Sequence, residues 1–366
     1  MRATQAMLAL WLLPLAAAAP ALADPVTLVT PLVYGTHMPG LGEPAASLAQ
    51  LIKERSGGAL VLDLKQPGEG VKPQEILDKV SAGTVDAGFA TASYWSAKLP
   101  AASLFAGFPF GPDGKTYLDW FERGNGRKLY QEMYDHAGLK VHVLPCAFGG
   151  AETGGWFAKE IKTSEDIKGL RMRIFGLGGR VMSRLGATTV LVPGGELLAA
   201  FDKGKIDAAE LYPLAVDAQA GLKDKVKLIY LPGWHQPETV LELIVNKDRW
   251  DALTDHQRGL IEGACLATLQ ATLDDSAKLE TGALADLAKA GVRIAEFPQG
   301  VVASLRQAWT EIAKDEGDQD YFFRTVLDDI DKFRSKPTAP EPAPNATPAP
   351  NVSAEPNAAA ETQAIP

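Results

Sequence analysis

Apolar residues recur along this chain with two different periods. VTLVT, ALVLDL, LKVHVLP, KVKLIYLP and TVLELIVN are short apolar or alternating runs and predict strands. Between them, Glu43 to Arg55 and TYLDWFERGNGRKLYQEMYDHAG carry the helical period, the second with a glycine interruption. A long helical stretch follows from Thr254 to about Ala290, and a last one runs from Gln299 to Phe333. Strands alternating with helices predict an α/β protein whose sheets are covered on both faces.

One unit occurs twice. EILDKVSAGTVDAGF starts at Glu75 and ELLAAFDKGKIDAAEL at Glu196. Glu75, Gly83 and Asp86 match Glu196, Gly204 and Asp207, so each unit predicts a short helix, a glycine turn and a buried strand. Glu75 and Glu196 fall where a carboxylate favours a helix N-terminus. The roughly 310 residues involved exceed one usual core, and the repeat points to two similar lobes. The expected division is a lobe I of about 24–146 plus part of 236–290. Lobe II then takes about 147–235 plus the remaining C-terminal helices, and the helices from Thr254 onward brace both.

Both ends read differently. Arg2 precedes the apolar run MLALWLLPLAAAAPALA, and Ala21-Leu22-Ala23 has the small-x-small form of a cleavage site. Residues 1–23 are therefore read as a signal peptide, cleaved after Ala23, which places the protein in the periplasm. Residues 336–366 are rich in Pro, Ala and Asn, free of aromatics, and read as a disordered tail. The formal net charge is -9, with no basic cluster, which excludes nucleic acid and anionic lipid as partners. Two cysteines, Cys146 and Cys265, are too few for a disulfide framework and are expected as separate buried thiols.

The catalytic motifs are missing. His37, His136, His142, His235 and His256 form no metal-ligand spacing, and there is no G-x-S-x-G or C-x-x-C. RMRIFGLGGRVMSRLG, from Arg171, has Val181 where a dinucleotide fingerprint needs glycine. Its strand turns Arg171, Arg173 and Phe175 to one face and Leu170, Met172 and Ile174 to the other. A guanidinium at such a strand tip can clamp a carboxylate through two parallel hydrogen bonds. Alternation alone does not separate the two arginines.

The order of SAGTVDAGFATASYW, IKTSEDIKGLRMRIFG, GGELLAAFDKGKIDAAEL and YLPGWHQPETVLELIVNKDRW resembles the DctP-type solute-binding proteins of TRAP transporters. The resemblance spans nearly all of residues 25–335. It implies a two-lobe periplasmic binding protein fold of type II-like form, with the ligand cleft between lobes. It also implies delivery of a small organic acid to TRAP membrane subunits, no enzymatic activity, and a homodimer. It makes Arg173 the carboxylate clamp and Arg171 a bystander. GGAETGGWF and LPGWHQPE look like the branch that binds 2-oxo and related monocarboxylic acids, where a cation bridges ligand and protein.

That branch has Gln where Glu152 stands, Glu-Trp at Glu210-Leu211, and Glu at Gln236. An amide and a carboxylate thus trade places, keeping oxygen ligands suited to Na⁺ or Ca²⁺. Glu152, Glu210, Leu211 and Gln236 become the expected cation set. Leu211 in place of Trp enlarges the pocket or removes a stacking wall, a departure that points away from a small 2-oxo acid. Around the cleft, Glu152, Leu211, Tyr34, Tyr94, Trp95 and Trp234 join Arg173 as ligand-binding candidates, while Phe108 and Phe110 are assigned to packing. Two other readings stand beside this one: a carboxylate-binding protein of another uptake or sensing system, and an exported hydrolase using Glu152 and Glu210.

Overall fold

The computed structural model describes residues 25–336. Its strands are β1 (Val26–Pro31), β2 (Leu60–Lys65), β3 (Ala87–Ala90), β4 (Val141–Phe148), β5 (Gly155–Phe157), β6 (Arg171–Arg173), β7 (Thr188–Thr189), β8 (Ala208–Ala209), β9 (Leu228–Tyr230), β10 (Val240–Asn246) and β11 (Arg293–Ala295). The proposed signal peptide lies outside the described residues, as does the tail apart from Lys336.

Two sheets form. In lobe I, β2 pairs with β1, and β3-β10-β4 pair in that order. A bridge from Leu32 to Phe89 joins the two groups, giving β2-β1-β3-β10-β4. Lobe II has the order β11-β9-β5-β8-β6-β7. Read from β7, it repeats lobe I: β1 corresponds to β6, β3 to β8, and β10 to β5. The antiparallel strand in each sheet comes from across the hinge, β10 entering lobe I and β5 entering lobe II.

The duplicated unit explains why. Each copy is a short 3-10 turn ending at Glu75 or Glu196, a six-residue helix, and a glycine with φ of +71° at Gly83 or +60° at Gly204. Neither glutamate makes a capping hydrogen bond. The aspartate that follows each glycine then does the same thing twice. Asp86 N donates to Val29 O and its carboxylate accepts from Val29 N, at 3.2 and 2.9 Å. Asp207 N donates to Arg171 O and its carboxylate accepts from Arg171 N, at 2.7 and 3.1 Å.

Two segments, 149–154 and 231–239, cross between the lobes. They are hydrogen-bonded to each other through Gly149 N to Thr239 O, Thr239 N to Gly150 O and Glu152 N to Gln236 O, at 2.7, 3.0 and 3.0 Å. The helix Asp255–Lys289 opens on a capping box between Thr254 and Gln257 and spans both lobes. Ile261, Ala264 and Cys265 pack in lobe I, and Ala283 and Leu287 in lobe II.

Three expectations are corrected. Cys146 on β4 and Cys265 on the long helix are joined in a disulfide, so they are not separate thiols. Their positions 119 residues apart carried no contact information, and the fold brings their Cα atoms to 4.2 Å. The last helical stretch is two helices, Gln299–Gln319 and Tyr321–Arg334, because Asp320 stops the first and caps the second by accepting from Phe322 N and Phe323 N. Tyr321–Arg334 also returns to lobe I instead of joining lobe II. There Asp329 accepts from Trp120 Nε1 and Asn125 Nδ2, each at 2.7 Å.

Candidate functional site

Between the lobes lies a cavity of about 230 Å³, bounded by the ends of β6 and β8, the two crossovers, and lobe I loops. Arg173, Glu210 and Leu211 face it from lobe II, Tyr34 and Tyr94 from lobe I, and Glu152, His235 and Gln236 from the crossovers. The first turn of the helix Gly176–Arg184 also lines it, and a helix N-terminus favours an anion.

The two arginines part company at β6. Arg171 is exposed and fully engaged: Nε and Nη2 donate to the Asp207 carboxylate, the former at 2.8 Å, and Nη1 to Gly204 O. Arg173 is 95% buried, next to the ends of β6 and β8. Its Nη1 donates to the Glu210 main-chain carbonyl and lies 3.4 Å from Glu210 Oε2, while Nε reaches Val192 O at 3.4 Å. Among the described residues Nη2 has no protein partner. The guanidinium carbon sits 4.5 Å from the Phe175 ring centre, a cation-π contact that holds the group side-on.

Opposite it, two carboxylates and an imidazole converge. His235 Nε2 is hydrogen-bonded to Glu152 Oε2 at 3.0 Å and lies 3.8 Å from Glu210 Oε1. One donor atom from each of Glu152, Glu210 and His235 falls within 4.8 Å of the others. His235 approaches so closely because residue 178 is glycine: a Cβ there would stand 2.8 Å from His235 Cβ. Gln236 also faces the cavity, but its amide nitrogen donates to Glu152 Oε1 at 2.7 Å and Thr239 Oγ1 at 2.9 Å. It therefore steadies Glu152, and His235 occupies the place beside the carboxylates.

Burial, and the charge of Glu210, push Glu152 up to about 8. Burial opposes a charge on His235, but its contacts with Glu152 and Glu210 carry its pKa up to about 9. Burial would also raise Glu210; the nearby His235 and the charge of Arg173 bring it below the usual value. The Arg173 guanidinium and an imidazole whose pKa is raised thus stand against two buried carboxyls shifted in opposite directions, and positive groups on the cavity wall favour a bound carboxylate.

The donor set also fits a cation. Two carboxylates with an imidazole can ligate one, and His235 and Glu152 would release protons as it bound. Two aromatic candidates are not on the wall. Trp95 is buried in lobe I, where Nε1 donates to Glu242 Oε1 at 2.8 Å, so its place beside Tyr94 in sequence is misleading. Trp234 turns away from the cleft and packs against Phe110, ring centres 5.9 Å apart. His235 and Tyr212 are among the cleft residues that sequence reasoning missed. Both adjoin named candidates, Gln236 and Leu211, and that adjacency was the available signal.

Comparison with known proteins places this architecture. The model of the bacterial extracellular solute-binding proteins, family 7, matches residues 40–319. A monocarboxylate 2-oxoacid-binding periplasmic protein of Nostoc sp. is 33% identical over 292 residues, covering 80% of each chain. Among solved structures, a TRAP periplasmic solute-binding protein of Colwellia psychrerythraea with bound calcium and pyruvate superposes with a TM-score of 0.80 at 28% identity, covering 85% of this chain and 94% of that one. Another, from Pseudoalteromonas atlantica with bound sodium and pyruvate, gives 0.78 at 28% identity with the same coverage. The chain belongs to the DctP family of bacterial extracellular solute-binding proteins, the non-enzymatic binding subunits of TRAP transporters.

Proposed function

We propose that this protein captures a small organic monocarboxylate, of the 2-oxo or 2-hydroxy acid type, in its interlobe cleft and delivers it to TRAP membrane subunits. The observation that carries the reading is Arg173, buried at the cleft edge with one guanidinium nitrogen that has no partner among the described residues. A carboxylate there meets a fixed, desolvated cation, which makes a charge-assisted bond strong. Glu152 and Glu210, with His235 beside them and Leu211 and Gln236 adjoining, would hold Na⁺ or Ca²⁺ against the acid. Such a cation neutralises the carboxylates and offers coordination to the ligand's oxygens.

The rival reading as an exported hydrolase is set aside, because the family is one of binding proteins. Export through cleavage after Ala23, periplasmic residence and pairing into a homodimer complete the proposal. Intact mass and sedimentation of protein isolated from its own cells test those three. Titration calorimetry with pyruvate, lactate and succinate, each with sodium or calcium chloride, tests the ligand. The expected result is one-to-one binding of a monocarboxylate, tightened by one of the cations and absent for succinate. Binding of succinate alone would reject the reading.

A further inference from the structure

The crossover 231–239 has a second cavity on its other side, of about 420 Å³. Leu231 to Trp234 face this cavity, while the next two residues, His235 and Gln236, face the ligand cleft. Its walls are largely aromatic: Phe110 comes from a lobe I loop, Trp234 from the crossover, and Phe297 from just before the helix Gln299–Gln319. The Phe110 and Trp234 ring centres are 5.9 Å apart, and the Arg306 guanidinium carbon lies 4.0 Å from the centre of the Phe110 ring. Cation, ring and indole therefore stand in series along the groove.

Two observations separate this groove from ordinary packing. Among the described residues, Phe110 is the only non-glycine with φ in the left-handed region, at +55°, where a bulky side chain sits under strain. Its main-chain N donates to Trp234 O at 2.7 Å, and its ring stays half-exposed on the groove. Strain kept at an accessible ring marks a binding surface more often than a packed core. The second observation is charge. Arg306 is exposed, and beyond its stack on Phe110 its guanidinium has no carboxylate partner among the described residues. Arg334, also on the wall, pairs with Asp331 at 3.3 Å, and Glu296 is the one acidic residue lining the groove.

We propose that this groove is the docking site for residues 337–344 of the same chain. The described residues end at Lys336, two positions after the groove-lining Arg334, so the segment starts beside the groove. It reads PTAPEPAP, four prolines around one carboxylate, Glu341. Aromatic-lined grooves take proline-rich segments because proline rings stack on indole and phenyl faces and their backbone is already restricted, so little entropy is lost on docking. Glu341 stands seven residues past Arg334, about 22 Å of extended chain, which is long enough to cross the groove. Its carboxylate complements Arg306. Docked there, the segment covers the face of the crossover opposite the ligand cleft. The inference does not depend on which acid the cleft takes.

Pulsed electron paramagnetic resonance on the full-length chain tests the proposal. Nitroxides are attached at Ala303→Cys, exposed on the helix that carries Arg306, and at Ala343→Cys. The native cysteines are joined in a disulfide and take no label. The expected result is one narrow distance between the two labels. Arg306→Glu and Glu341→Arg should each broaden it, and the two together, which swap the charges, should restore the narrow distance. Melting curves confirm that each variant is folded. A broad distribution in the labelled parent overturns the proposal, as does a narrow distance that survives Arg306→Glu or a double variant as broad as the single ones. If the narrow distance disappears when excess unlabelled chain is added, the groove holds the segment of a second copy, and the proposal falls.

Discussion

Lobe I and lobe II are built on the same plan and put to different uses. In each, an aspartate after a glycine turn locks the first strand of its sheet by two hydrogen bonds, to Val29 in one and Arg171 in the other. Two residues further along, lobe I has buried Pro31 and lobe II has Arg173. Lobe I strands run to eight residues and are stapled to the long helix by a disulfide, whereas most lobe II strands have two or three residues. The lobe with the thinner sheet supplies the guanidinium. A binding residue needs a rigid neighbourhood of a few hydrogen bonds, and the duplicated aspartate provides it without a large sheet.

Substitutions in the two lobes should have graded effects. The largest effect should come from the staple. Replacing Cys146 and Cys265 together with alanine should cost about 2–5 kcal/mol in urea unfolding, since a long loop is released. Arg173→Lys comes next, weakening acid binding about a hundredfold in calorimetry, because the fork and its fixed geometry are both lost. Asp86→Ala and Asp207→Ala should each cost about 1–2 kcal/mol by removing an acceptor from a strand amide. Only Asp207→Ala should also weaken the ligand, by several-fold, since β6 carries the clamp. Equal effects on binding would mean that the lobes do not differ in duty.

Stability should also depend on pH in a set direction. Burial pushes Asp217 up to about 7 and Glu238 up to about 8. Carboxyls whose folded pKa is raised take up protons on folding, so their contribution is full below their unfolded values and is lost as pH rises through about 7 to 8. The melting temperature should therefore fall between pH 5 and pH 8, and Asp217→Asn should flatten that slope. The smallest change is expected from Arg171→Ala, which should alter acid affinity less than twofold, because its guanidinium serves Asp207 and Gly204 outside the cleft.

Much of this was legible in the sequence because it is local. The helix Asp255–Lys289 announces itself through Thr254 and Gln257, and the repeat through Gly83 and Gly204, where positive φ is required. What stayed hidden depends on distant contact. The order β3-β10-β4 places a late strand between two early ones, and only that crossing sets Cys146 against the long helix. His235 looked isolated because its partners, Glu152 and Glu210, are 83 and 25 residues away in the chain. Trp95 misled for the opposite reason: adjacent side chains on a tight turn point apart, so Tyr94 faces the cleft and Trp95 the core.

The long helix sets the mechanics of any opening. It is fastened covalently to lobe I at Cys265 and embedded in lobe II at Ala283 and Leu287. Rotation of lobe II about 149–154 and 231–239 must then either bend the turns between or slide those two residues in their sockets. The helix is thus one beam with a covalent anchor in lobe I and a packed, apolar anchor in lobe II, so the two lobes are joined by a third connection besides the two crossovers.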